Sequence, residues 1–169
     1  MTEPALRVEP LGPDHDRASF SCGEAALDTY LQRQASQDIR RRVAQVFVAL
    51  GSQPATILGY YSLSAASFDK GELPPAEAKR LPHYPVPAAV LGRLAVDRAQ
   101  QSQGLGELLL LDAIRRVVRA STMVAVHAMI VDAKHDRARL FYERYGFRAF
   151  ASTPLRLFLP LETFEKLGL

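Results

Sequence analysis

Tryptophan is absent from these 169 residues, and only one cysteine, Cys22, occurs. A single thiol excludes an internal disulfide and any multi-cysteine metal site, and it fits a reducing compartment. His15, His83, His127 and His135 show no paired spacing of the kind metal sites use, so no metal is expected. No apolar run nears the roughly 20 residues of a membrane span. The opening MTEPALRVEP lacks the apolar core of a signal peptide. These absences set the expectation of a cytoplasmic protein with no membrane partner. Internal repeats, low-complexity tracts and linkers are also missing, and domains run to roughly 100–200 residues, so one domain over 1–169 is expected. The net charge of +3 is modest and implies an acidic partner only where the charge is clustered.

What is present is an ordinary globular balance, 48% hydrophobic and 23% charged. ALRVEPL (from Ala5) reads as a first strand, and GPDHDRASFSCG as a loop with room for one short helix. From Gly23 to Arg42 the spacing turns helical, with Ala26, Leu27, Tyr30, Leu31 and Ala35 on one face. VAQVFVAL and ILGYYSLSAASF read as a hairpin around GSQPAT. A proline-rich stretch follows, with a short helix around Ala76 to Arg80. MVAVHAMIVDA is read as a buried strand in which His127 alternates with apolar residues. DRARLFYERYG places Ala138, Phe141, Tyr142 and Tyr145 at helical spacing, with Gly146 as the stop. FRAF and RLFLPL close the chain as two strands.

Between the proline-rich stretch and the MVAVHAMIVDA strand runs LGRLAVDRAQQSQGLGELLLLDAIRRVVRA, Leu91 to Ala120: a strand, a polar turn holding Gly104 and Gly106, and a helix. Unpaired N–H groups and the positive end of the dipole make a helix N-terminus an anion seat, and glycines let a phosphate approach the backbone. No Lys-Ser or Lys-Thr follows, which excludes a P-loop, and Leu109 stands where a dinucleotide fingerprint needs a third glycine. On the glycines alone a plain tight turn competes with the phosphate seat.

Gln101-Ser102-Gln103-Gly104-Leu105-Gly106 matches the Gln/Arg-x-x-Gly-x-Gly pattern of the GNAT acetyltransferases, and ARLFYERYGF (Ala138 to Phe147) resembles that superfamily's second signature. The order of elements agrees across nearly the whole chain. FSCGEAALDTYLQRQA and YPVPAAVLGRLAVD further resemble the GNAT toxins of bacterial toxin–antitoxin operons, enzymes that acetylate the amino acid on charged tRNA. The resemblance implies an α/β (α+β) fold with a mixed, mainly antiparallel sheet, splayed at the centre and flanked by helices. It also implies acetyl-CoA as cosubstrate, aminoacyl-tRNA and a DNA-binding antitoxin as partners, and compatibility with a homodimer. Acetyl-CoA would meet Leu94, Ala95 and Val96 through the strand backbone, the turn from Gln101 through Ser102, Gln103, Gly104 and Leu105 to Gly106, and Glu107, Ala138 and Phe141.

The resemblance makes Tyr142 the acid that protonates the leaving thiolate; by spacing alone it is a core aromatic, as Phe141 and Tyr145 are. Gln101-Ser102 replaces the more usual Arg-Gly, and His135 replaces an Asn that many members carry. Arg40, Arg41 and Arg42 form the densest basic cluster, open to two readings: a tRNA backbone contact or a solvated helix face. Arg93, a charge in an apolar strand, either orients substrate or satisfies a carboxylate. No general base is recognisable. An α-amine titrates at about 7.7–8.0 and lysine at about 10.4, which favours an aminoacyl ester as acceptor. A small amine or a protein N-terminus is the alternative acceptor.

Overall fold

The structure, a computed structural model, describes residues 6–166. Ala5, where the sequence pattern starts the first strand, and the outer ends of the 1–169 domain lie outside the described residues. A seven-stranded mixed sheet runs in the order β1-β2-β3-β4-β5-β7-β6. The chain parts into two compact units, Met1–Ser64 with Gly92–Ile114 and Ala65–Leu91 with Arg115–Leu169.

In the first unit β1 (Arg7–Pro10) pairs antiparallel with β2 (Gln45–Leu50), and β2 pairs antiparallel with β3 (Ile57–Phe68), with an irregularity between Ala49 and Leu50. Five consecutive β2 residues, Val46 to Leu50, are buried, as suits a strand covered on both faces. β4 (Val86–Val96) runs antiparallel to β3: Asp97 N–H donates to Leu58 C=O at 2.9 Å, while Gly92 lies against Ser62.

The helical segment comes in three pieces, α1 (Ala25–Thr29), a π turn (Tyr30–Gln34) and α2 (Ala35–Arg40). The wider i→i+5 turn aligns Leu27, Leu31 and Ala35 on one line. Ala26, one residue step around the helix from Leu27, is exposed, contrary to the regular helical pattern. Leu27, Tyr30, Leu31 and Ala35 pack with Val46, Val48, Leu50, Ile57, Tyr60 and Ala95 into the core of this unit. Burying each large apolar side chain of such a set contributes about 1.5–3 kcal/mol. α4 (Leu105–Ala120) buries Leu105, Leu109, Leu110, Ala113 and Ile114 along one stripe. Leu109 approaches the sheet so closely that a Cβ on Gly59 would sit 2.8 Å from its Cδ1.

In the second unit β4 pairs in parallel with β5 (Ala128–Asp132) from Ala88↔Ala128 to Leu91↔Val131. α4 is the crossover that parallel pairing requires. β5 pairs antiparallel with β7 (Arg156–Pro160), and β7 with β6 (Arg148–Ala149). Phe68, Leu73, Val86, Ala88, Ala128, Ile130, Phe150 and Phe158 form its core.

Several local expectations change. The loop from Gly12 to Gly23 forms turns and one isolated bridge, Asp16↔Thr56, with no helix. The short helix in the proline-rich stretch is α3 (Pro75–Ala78), started by Pro75 and preceded by a 3₁₀ turn, Lys70–Glu72. Met123 and Val124 lie exposed in a turn, and His127 stands just before β5, where its N–H donates to Pro87 C=O and its C=O accepts from Leu161 N–H. Alternation of apolar residues there reflected the turn's composition and not a strand face. The chain continues after β7 into α6 (Leu161–Lys166), which buries Leu161 and Phe164 at i and i+3, a helical spacing hidden behind the strand pattern.

Candidate active site

The glycine turn is built in steps. β4 ends at Val96, and Asp97 opens a 3₁₀ turn (Arg98–Gln100) by accepting Ala99 N–H on its carboxylate at 3.0 Å. Ser102 (φ +67°) and Gly104 (φ +82°) then take left-handed backbone, which reverses the chain into α4. Leu108 N–H bonds Gly104 C=O at 3.2 Å, so the amides of Leu105, Gly106 and Glu107 lead α4 with no intrahelical acceptor. Leu105 anchors the turn in the core, while Gln101 to Gly104 and Glu107 are exposed.

The space outside the turn is open. A Cβ on Gly104 would meet nothing within 4 Å, and one on Gly106 would meet only Val96 Cγ2 at 3.9 Å. Among protein atoms, nothing demands glycine at 106. Free amides, the dipole of a 16-residue helix and a missing side chain together suit a diphosphate. The Gln101 amide is not aimed there: its Nε2 donates to Cys22 C=O at 2.9 Å and Val96 C=O at 3.0 Å. Upstream, Ala95 is buried in the core, and Leu94 and Val96 are half-buried.

In the second unit, α5 (Asp136–Glu143) carries Ala138, Phe141 and Tyr142, all half-buried. His135 is its N-cap, the ring Nδ1 accepting Ala138 N–H at 3.1 Å. Asn serves the same capping purpose, which accounts physically for the exchange of one residue for the other. Gly146, with φ +96°, follows the end of α5 as the sequence pattern requires. The Tyr142 ring meets Phe141 and Phe147 edge-on, with centroids 5.2 and 5.6 Å away. Burial pushes its phenol up to about 12, so it keeps its proton throughout the neutral range.

Arg93 lies 3.4 Å above the Tyr30 ring, whose hydroxyl donates to Asp38 at 2.9 Å. Gln34 donates to the same carboxylate, and these hydrogen bonds, with Arg93 and Arg41 nearby, hold Asp38 below the usual range. Arg93 is thus seated on an aromatic ring within a carboxylate's field. Arg40, Arg41 and Arg42 are exposed at the end of α2, where cations also favour the helix dipole, and Arg42 leaves the helix at φ +59°. Cys22 is buried and its thiol is pushed up to about 11 by that burial, so it is a poor nucleophile. Sequence reasoning missed Asp97, Tyr30 and Asp38; the π turn that presents Tyr30 has no sequence signature, and the partners are distant in the chain.

An open glycine turn at a helix N-terminus in one unit, and a half-buried phenol that keeps its proton in the other, suit an acyl-CoA-dependent transferase. The chain belongs to the GNAT acetyltransferases: the family profile for the acetyltransferase (GNAT) domain matches residues 43–149. It is 38% identical over 144 residues to the tRNA-acetylating toxin of Mycobacterium tuberculosis, covering 85% of each chain. The structure of AtaT complexed with acetyl-methionyl-tRNAfMet superposes with a TM-score of 0.90 at 32% identity, over 98% of this chain and 100% of that one. A tyrosine-to-phenylalanine mutant of the AtaT toxin, bound to the C-terminus of the antitoxin AtaR and acetyl-CoA, gives 0.81 at 30% identity, over 96% and 98%. Among the described residues no helix is long and apolar enough to cross a membrane.

Proposed function

We propose that this protein transfers the acetyl group of acetyl-CoA to the α-amine of an aminoacyl-tRNA, and so acts as a translation-blocking toxin under a cognate DNA-binding antitoxin. The observation that carries the reading is the end-to-end likeness to AtaT in its acetyl-methionyl-tRNA complex. The open glycine turn supports the acetyl-CoA part of the reading, since a Cβ on Gly106 would meet only Val96 Cγ2, at 3.9 Å, which leaves room for a ligand.

In this reading the amides of Leu105, Gly106 and Glu107 and the turn from Gln101 hold the pyrophosphate, and backbone groups of Leu94 to Val96 hold the pantetheine arm and polarise the thioester carbonyl. Ala138 and Phe141 line the cofactor side of α5. The α-amine attacks the carbonyl carbon, a C–N bond forms, the C–S bond breaks, and Tyr142 gives its phenolic proton to the departing thiolate. The amine's own proton passes through solvent to the Tyr142 phenolate, which restores the phenol and closes the cycle. An esterified amino acid needs no strong base for this, because its amine titrates below the free value of about 7.7–8.0. Arg40, Arg41 and Arg42 contact the tRNA backbone, and Arg93 orients the acceptor. The site of action is the cytoplasm.

The test is purified protein with acetyl-CoA and either charged tRNA, uncharged tRNA or a lysine peptide, with mass spectrometry of the released aminoacyl-adenosine. Acetyl should appear on charged tRNA alone. Tyr142→Phe, which keeps both ring contacts, should bind acetyl-CoA normally and lose about 10²–10⁴-fold in rate. Faster acetylation of the peptide would defeat the tRNA reading.

A further inference from the structure

The glycine turn does not stand alone. Its first residue, Gln101, is exposed, yet its amide is committed to the Cys22 and Val96 carbonyls. Cys22 N–H in turn donates to Asp28 Oδ1 at 2.9 Å, on the first turn of α1. One residue earlier, Ser21 N–H donates to Asp97 Oδ2 at 3.1 Å, and Ser21 C=O accepts Arg98 N–H at 2.8 Å. Gly23 takes the left-handed backbone (φ +98°) that leads this loop into α1. Both ends of the segment from Asp97 to Gln101 are therefore stitched to the loop Ser21–Gly23, across sequence separations of 76 and 79 residues.

The turn needs such a support. Two of its residues hold left-handed backbone, one of them a serine, and its outer face has no protein contact at Gly104. A segment of that kind samples other conformations unless it is tied down, and ordering it on binding costs affinity. We propose that Gln101 and Asp97 are positioning residues for acetyl-CoA: they pin the phosphate turn to the Ser21–Gly23 loop, so that the leading amides of α4 are set before the ligand arrives. The Gln101 side chain then acts through the backbone and itself touches no phosphate. The inference rests on the reading of this turn as the pyrophosphate seat.

Gln101→Met keeps the length of the side chain and removes both donors. Gln101→Arg keeps N–H donors of sufficient reach. Asp97→Asn leaves one acceptor oxygen where two are used. With the full-length protein, acetyl-CoA and charged tRNA, Gln101→Met should raise KM for acetyl-CoA roughly tenfold, the scale of one or two neutral hydrogen bonds. Its kcat and KM for charged tRNA should stay within about twofold of the parent, as expected for lost ground-state binding. Asp97→Asn should show a smaller rise of the same kind, and Gln101→Arg should restore the parent value. Hydrogen exchange gives a readout indifferent to the arginine's charge: the amides of Ser21 to Gly23 and of the turn should speed up together in Gln101→Met and not in Gln101→Arg. If the parent binds acetyl-CoA and Gln101→Met binds it equally well, or loses kcat with KM unchanged, the positioning role is overturned. If the parent itself binds none, the failure lies with the seat.

Discussion

Gly104 adopts φ +82°, a conformation that costs any residue with a Cβ roughly 1–2 kcal/mol, although the space around it is empty. Gly106 is under no such constraint, and a methyl group there would make only an ordinary 3.9 Å contact with Val96. The two glycines, alike in the motif, therefore differ: backbone conformation requires glycine at 104, whereas no protein atom requires it at 106. Gly104→Ala should lower unfolding free energy by about 1 kcal/mol. Gly106→Ala should leave stability equal or raise it by a few tenths of a kcal/mol, as helical glycine-to-alanine changes do, while weakening acetyl-CoA. Urea unfolding and calorimetric titration on the same samples separate the two effects. A Gly106→Ala protein that binds acetyl-CoA as tightly as the parent would remove the ligand argument for that position.

At the scale of an element, α5 is only eight residues long, too short to hold itself together without packing and caps. Its start depends on the His135 ring accepting Ala138 N–H, with Asp136 placed favourably in the first turn. Arg139 adds ion pairs to Asp136 at 3.4 Å and Glu143 at 3.1 Å, worth a few tenths of a kcal/mol each at the surface. His135→Asn should match or exceed the parent in stability, whereas His135→Ala should lose about 1 kcal/mol. Thermal and urea unfolding of both variants make the comparison. Equal losses in the two would show that the imidazole does something besides capping. At α2 the arginine run has a local explanation, cations at a helix C-terminus, so its exposure alone does not define an RNA contact.

Across the molecule, each unit carries tyrosine withdrawn from water, Tyr30 and Tyr60 buried in the first and Tyr142 half-buried in the second. Burial and the hydrogen bond to Asp38 push Tyr30 up to about 12, burial raises Tyr60, and burial pushes Tyr142 up to about 12. Unfolded tyrosine ionises near pH 10. Because the folded phenols hold their protons longer, their contribution to stability is complete below about pH 10 and is lost progressively as pH rises towards 12. The urea midpoint should accordingly be flat in this respect from pH 8 to 9.5 and fall steeply above pH 10, with phenolate at Tyr30, Tyr60 and Tyr142 appearing together with unfolding. Phenolate at any of these three rings near pH 10 in the still-folded protein, read ring by ring by NMR so that the exposed Tyr84 does not count, would show them to be accessible.

Periodicity and turn chemistry were enough to place the β2–β3 hairpin, the turn before α4, the helix α4 itself and the stop at Gly146, because each depends on residues close together in the chain. The two signature stretches brought the GNAT assignment with them, and the expected site residues were named from that likeness. Local pattern could not foresee the π turn, the exposure of Ala26 or the terminal helix α6, whose faces are set by packing against distant strands. Nor could it show that the Gln101 side chain serves Cys22 and Val96, or that Arg93 rests on Tyr30 beside Asp38. The Gln101–Cys22 and Arg93–Tyr30 contacts join residues tens of positions apart. Which polar groups are spent holding the protein together, and which remain for a ligand, was decided only when the chain folded and each buried or crowded donor had to find its acceptor.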